Sequence, residues 1–193
     1  MWTKGHELKY WNKNGIRKGT RIYLQYAKSF DLHDYDLRDK KIVDIGCGPF
    51  GGCFCGSLQL DVTPVDVLAD EYKLMGVSSR EIIFGDLSEK LPFNDNTFDF
   101  AICTNAIDHI PDVKHGFDEL NRILKKDGTF FLHVHLRRKD QLNKAHIHIL
   151  TMKGVCDIAT DSGFDVVKQK EDTDWVNDRT DRLAAYLTLT KHG

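Results

Sequence analysis

No stretch of this sequence approaches the roughly eighteen uncharged apolar residues that a membrane-crossing helix needs. The opening run, MWTKGHELKYW, has no apolar centre of the kind a signal peptide carries, so a cytoplasmic protein is expected. Cysteine is scarce, 5 among 193 residues, and no C-x-x-C pair occurs. That argues against a disulfide framework and against a paired thiolate zinc site. A charge excess is also missing: 27 Lys and Arg stand against 29 Asp and Glu, a formal net charge of −2. Neither nucleic acid nor an anionic membrane is expected as a partner on that balance, and a small-molecule substrate is. With 41% hydrophobic residues, the chain has the composition of one ordinary globular domain.

The stretch VDIGCGPFGGCFC (43–55) sets four glycines and three cysteines behind a short apolar run. Cys47, Cys53 and Cys55 are spaced by six and by two, which suits a zinc pair poorly. Two His-x-His pairs, His133 with His135 and His146 with His148, pose the stronger metal question. They read as alternation on a strand and on a loop, and no metal is expected.

The glycines fit a ligand loop. KKIVDI (40–45) suits a buried strand, and Gly46 and Gly48 after it permit a tight turn and close ligand approach. VTPVDV (62–67) is a second strand, expected to begin effectively after Pro64, with Asp66 twenty residues past Gly46. An acid at that spacing suits the two hydroxyls of a nucleoside ribose. EIIFGD (81–86), FDFAICT (98–104) and GTFFLHVHL (128–136) are further strands, and FDVVKQK and RLAAYLTLTK close the chain as two more. Asp112 and Thr151 can cap intervening helices, the first with Lys125 and Lys126 at its C-terminal end and the second stopped by Gly163. Strands alternating with helices predict a Rossmann-like, doubly wound α/β fold. Its sheet is expected to be mostly parallel and seven-stranded, with helices on both faces and an antiparallel last strand. Ligands should gather at the carboxyl ends of its strands.

In this order the motifs VDIGCGPFGG, Asp66, GDLSEKLPFNDNTFDFAIC, NAIDHIPD and ELNRILKKDGTFFLHV, over about residues 38–136, resemble the class I S-adenosylmethionine-dependent methyltransferases of the small-molecule branch. The resemblance implies S-adenosyl-L-methionine as cofactor. Asp44 would engage the methionine amino group, and Gly46, Cys47 and Gly48 would form the loop under the methionine and ribose. Asp66 would accept the ribose hydroxyls, with Val67 beside the adenine. Asp86 would read the adenine amino group, with Leu87 stacking on it or offering its backbone N–H. Asn105 and Ala106 would lie where the transferable methyl group points. Phe50 stands where the family usually has a third glycine.

Methyl transfer from a sulfonium is an in-line displacement, and a base is needed only if the acceptor must lose a proton. His109, His135 and Asp108 are the candidates for that work, at the ends of the fourth and fifth strands. TNAID is not an N-P-P-Y or D-P-P-Y motif, and no Pro-Cys pair occurs, so a small molecule or glycan precursor is the expected acceptor. The competing functions are a catalytically silent cofactor-binding protein of the same fold and an NAD-dependent oxidoreductase, since G-x-G-x-x-G is met at Gly46, Gly48 and Gly51. Residues 1–36 are expected as a helical segment with Tyr10, Trp11, Tyr23 and Tyr26, serving as a substrate lid or as core, and 37–193 as the catalytic domain.

Overall fold

The computed structural model describes residues 5, 8, 9, 11, 26–49, 60–78, 80–137, 139–142, 147–174 and 179–193. Seven strands form one sheet: β1 (Ile42–Ile45), β2 (Val62–Asp66), β3 (Ile83–Phe84), β4 (Phe98–Thr104), β5 (Leu124–Leu136), β6 (Phe164–Asp174) and β7 (Arg179–Lys191). Their spatial order is β3-β2-β1-β4-β5-β7-β6. β1 to β5 run parallel, and β7 runs antiparallel to both β5 and β6, as expected from the sequence. Three α-helices lie wholly within the described residues, α1 (Ala69–Met75), α2 (Val113–Ile123) and α3 (Met152–Asp161), and residues 26–29 are helical as well.

The two capping residues are where the sequence puts them. The Asp112 carboxylate accepts the His115 N–H, and the Thr151 hydroxyl accepts the Gly154 N–H. Two expectations need correction. Lys125 and Lys126 do not end α2; Leu124 already pairs with Phe98, and Lys125 instead bonds Asp99 at 2.8 Å. Strand β2 also begins before Pro64 rather than after it. The Val65 carbonyl faces β1, where it accepts from Gly46, and the Asp66 carbonyl faces β3. Alternation therefore turns the main chain of Pro64 toward β3, which pairs only with Val65 and Asp66, so the missing N–H has no ladder position to fill.

The sheet has a different cover on each face. Phe117, Leu120 and Ile123 of α2 and Val155 and Ala159 of α3 pack on Val43, Ile45, Cys103, Phe130 and Leu132. On the opposite face, Tyr26, Ala27, Phe30 and Leu32 pack on Ile42, Ile102, Phe131 and Tyr186. The period-2 alternation of the strands puts Asp44, His133 and His135 on this second face, with Ile42 and Phe131.

Arg122 of α2 fastens the loop before β4. Its guanidinium bonds Glu119 at 2.6 Å, donates to the Phe93 and Leu91 carbonyls, and reaches Asp95 at 2.7 Å. Glu119 in turn accepts the Leu91 N–H. These bonds hold the Glu119 and Asp95 carboxyls below their ordinary range. Arg122→Ala is expected to destabilise the protein by about 2 kcal/mol in a urea titration, because it leaves Glu119 buried beside carbonyls that have lost their donor. An unchanged midpoint would remove this pin from the account.

Candidate active site

The parallel strands bring Gly46, Asp66, Asp86, Asn105 and Arg137 to one edge of the sheet, the carboxyl ends of β1, β2, β3, β4 and β5. The glycine loop is built tightly there. Gly46 and Gly48 have φ of 70° and 68°, in the left-handed region. A Cβ on Gly46 would lie 2.3 Å from the Cβ of Ala106, so only glycine fits between the ends of β1 and β4. The Gly46 and Cys47 N–H groups both donate to the Val65 carbonyl.

Asp66 organises this loop. Its carboxylate accepts the Gly48 N–H and the Leu68 N–H, each at 2.9 Å. Asp44 differs. It is 1% exposed, and neither carboxylate oxygen has a hydrogen-bond partner among the described residues. Burial, reinforced by the neighbouring Asp66 charge, pushes its pKa up to about 8. The Asn105 side-chain oxygen is also buried without a partner among the described residues, and its residue holds φ 55° just past β4. Two buried acceptors lacking donors, beside a glycine turn, suit a ligand that brings a cationic amino group. The amino-acid end of S-adenosylmethionine supplies one, so these residues fit that cofactor.

Other assigned positions differ in detail. Val67 directly follows β2 and is half-buried. Asp86 accepts the Ser88 N–H at 2.8 Å, forming an Asx turn after β3. The Leu87 side chain is 5% exposed and packs in the core against α2, which leaves its main chain rather than its side chain for stacking beside a base. Cys47 points its thiol at the Gly48 carbonyl, and Cys103 is fully buried with its thiol pushed well above the usual range by burial. Cys53 and Cys55, expected in a helix after the loop, lie outside the described residues, as do Phe50, Tyr10, Tyr23 and His146.

The three candidates for proton transfer meet at one place. Asp108 and His109 sit on a single 3-10 turn, Ile107–His109, after β4, and His135 is near the end of β5. Arg137, which the sequence reading passed over, joins them. It is 4% exposed; its guanidinium lies 3.2 Å from His135 Nδ1 and 3.6 Å from Asp108 Oδ2. A two-way backbone pairing with Leu150 holds Arg137 in place. His133 is wholly buried, with Tyr26 and Tyr186 ring centroids each at 4.9 Å. His148 bonds the Ile110 carbonyl at 2.6 Å, and among the described residues no cluster of metal-ligating side chains forms.

Trp11 belongs to the N-terminal segment expected as a lid or as core. Its ring lies 3.3 Å from where a Cβ on Gly48 would be, directly over the ligand loop. Titration with S-adenosylhomocysteine is therefore expected to change the intrinsic fluorescence, and Trp11→Phe to remove most of that change although two other tryptophans remain. A full response in the variant would mean that Trp11 stays away from the ligand.

Comparison with known proteins agrees with this geometry. Residues 43–132 match the family model described as a methyltransferase domain. The chain is 34% identical over 145 residues to an uncharacterized protein of Methanocaldococcus jannaschii, covering 71% of this chain and 62% of that one. It is 26% identical over 146 residues to the ubiquinone biosynthesis O-methyltransferase of Rickettsia typhi, covering 67% of this chain and 57% of the relative. It thus spans less than two thirds of these curated relatives. Among solved structures, a SAM-dependent methyltransferase from Methanosarcina mazei superposes with a TM-score of 0.68 at 19% identity, covering 84% of this chain and 97% of the other. Residues 43–132 are thus similar to a methyltransferase domain, and the fold is the one seen in the Methanosarcina mazei structure.

Proposed function

We propose that this protein transfers a methyl group from S-adenosylmethionine to a small-molecule or glycan-precursor acceptor in the cytosol. The observation that carries the reading is Asp44: a buried carboxylate with both oxygens unpartnered among the described residues, beside a glycine turn that Asp66 fixes. Such a group is costly to the folded protein unless a cation meets it. The relatives' names fit methyl transfer, and the low net charge fits a small acceptor better than nucleic acid.

The cofactor supplies an activated methyl group on a sulfonium. The chain's own residues then have to bind, orient and exclude water. Asp44 and Asn105 would hold the amino-acid end, and Asp66 retains lone pairs for ribose hydroxyls while it fixes the Gly48 N–H. Asp86 and the Leu87 main chain would border the base. Trp11 would close the loop from outside, while Tyr26, Phe30 and Leu32 belong to the core. On this reading the first 36 residues divide between a cover for the site and a layer of the sheet.

The test is turnover. Incubation with S-adenosylmethionine and pooled metabolites is expected to release S-adenosylhomocysteine in proportion to enzyme, and Asp44→Asn to abolish that release. Tight cofactor binding with no release from any pool would favour the catalytically silent protein instead.

A further inference from the structure

Residues 147–150 return toward the sheet after β5 and are pinned to it along their length. The main chains of Arg137 and Leu150 bond each other in both directions, at 2.9 and 3.2 Å. Earlier in the segment, His148 Nε2 donates to the Ile110 carbonyl at 2.6 Å. Ile110 is itself closely seated: a Cβ on Gly116 of α2 would lie 2.6 Å from its Cδ1, so the glycine makes room for it. Burial alternates along the pinned segment. Leu150 is buried in the core and His148 is half-buried, while Ile147 and Ile149 are 40% and 56% exposed. A single exposed apolar side chain is ordinary, as Leu74 on α1 is. This pair differs because a fixed backbone presents it, and because of where it stands.

Leu150 pairs beside the end of β5, and Ile110 closes the turn that leaves β4 through Asn105 and Ala106. The segment therefore stands on the β4–β5 half of the sheet's carboxyl edge. The residues read for the nucleoside, Asp66 and Asp86, end β2 and follow β3, on the other side of β1. A cofactor lying over the β2–β3 half leaves the β4–β5 half to the second substrate. We infer that residues 147–150 form the acceptor wall of this site, that Ile147 and Ile149 select an acceptor with an alkyl or aryl body, and that His148 is the positioning residue that holds the wall. The inference rests on the methyltransferase reading and narrows its acceptor from any small molecule to one whose body is apolar. An acceptor lying on the two isoleucines would bury them and help to keep water from the reacting group.

Nile red, an uncharged apolar dye, probes the wall without turnover. Titrated into the full chain with S-adenosylhomocysteine present, it is expected to show a saturable site. Replacing both isoleucines, Ile147→Ser with Ile149→Ser, should weaken dye binding by about tenfold or more, since both lose their apolar contact area. Leu74→Ser removes a side chain that is 88% exposed on α1 and should change nothing. His148→Ala should also weaken the dye, and His148→Gln, which keeps an N–H donor at similar reach, should restore it; loss of bulk alone would not give that rescue. A second arm divides pooled metabolites between octanol and water. Release of S-adenosylhomocysteine is expected from the octanol fraction and should fall in the double serine variant. A dye response indifferent to both isoleucines, release confined to the water fraction, or a sedimenting dimer that the double variant dissociates overturns the inference. No release from either fraction counts against the methyltransferase reading alone, and the dye titration still decides this one.

Discussion

Asp44→Asn is expected to make the ligand-free protein more stable and nearly unable to bind its cofactor. In the folded protein the carboxyl titrates near 8, well above the ordinary 3.8, because burial disfavours its charge. Its native proton is therefore favourable at low pH, and that contribution is lost as pH rises from about 4 through about 8. The asparagine variant does not titrate, so its stability advantage should grow across that window and level off above pH 8. The size is on the order of a few kcal/mol, which a thermal melt at pH 9 would show as a clear rise in Tm. The same change removes the anion that would meet the cofactor's amino group, a loss of about 2–4 kcal/mol in binding, or roughly 30- to 1000-fold in Kd. A variant that binds S-adenosylhomocysteine normally would show that Asp44 has another role. One that is less stable at pH 9 would show that its charge is compensated in the fold.

Asp66→Ala is expected to weaken cofactor binding by about 2–4 kcal/mol. Two hydroxyl hydrogen bonds alone would account for the lower part of that range. The remainder comes from the loop: without the carboxylate, the Gly48 and Leu68 N–H groups lose their acceptor, and Gly48 loses what holds it at φ 68°. Asp66→Asn should fall between, since its one oxygen can accept a single N–H. Asp61 serves as the control. It is exposed and precedes β2, at the opposite end of the strand, so Asp61→Ala should leave the calorimetric Kd unchanged. The reverse ranking would displace Asp66 as the ribose ligand.

Much of the fold is legible in the sequence because its cues are local. The β-branched run before Gly46, the apolar stretch FDFAICT and the caps at Asp112 and Thr151 each act within a few residues, and the structure places all of them as read. The errors arise where a partner distant in sequence decides. Leu124 becomes strand because Phe98 is there to pair with, and Pro64 is tolerated because β3 is too short to need its N–H.

The site divides in the same way. The glycines and acids at strand ends announce themselves by spacing. Arg137 does not, since RRK reads as a solvated basic run, and its burial depends on Asp108, His135 and the returning Leu150. Trp11 lies thirty-seven residues before the glycine it covers, a separation that no periodicity reports. The sequence marks it only as one of four aromatic residues in an N-terminal segment read as lid or core.

The central claim is that the Asp44–Asp66 edge of the sheet receives S-adenosylmethionine, and calorimetric titration of the unmodified protein tests it most directly. With S-adenosylhomocysteine at pH 7, in two buffers of different ionisation enthalpy, binding is expected at one ligand per chain. It should release close to one proton, because Asp44 must give up its proton to meet the ligand's amino group. Affinity should then rise with pH, by up to about tenfold per unit, and level off near pH 8. NAD should give no binding heat. Binding of NAD with none of S-adenosylhomocysteine would contradict the account.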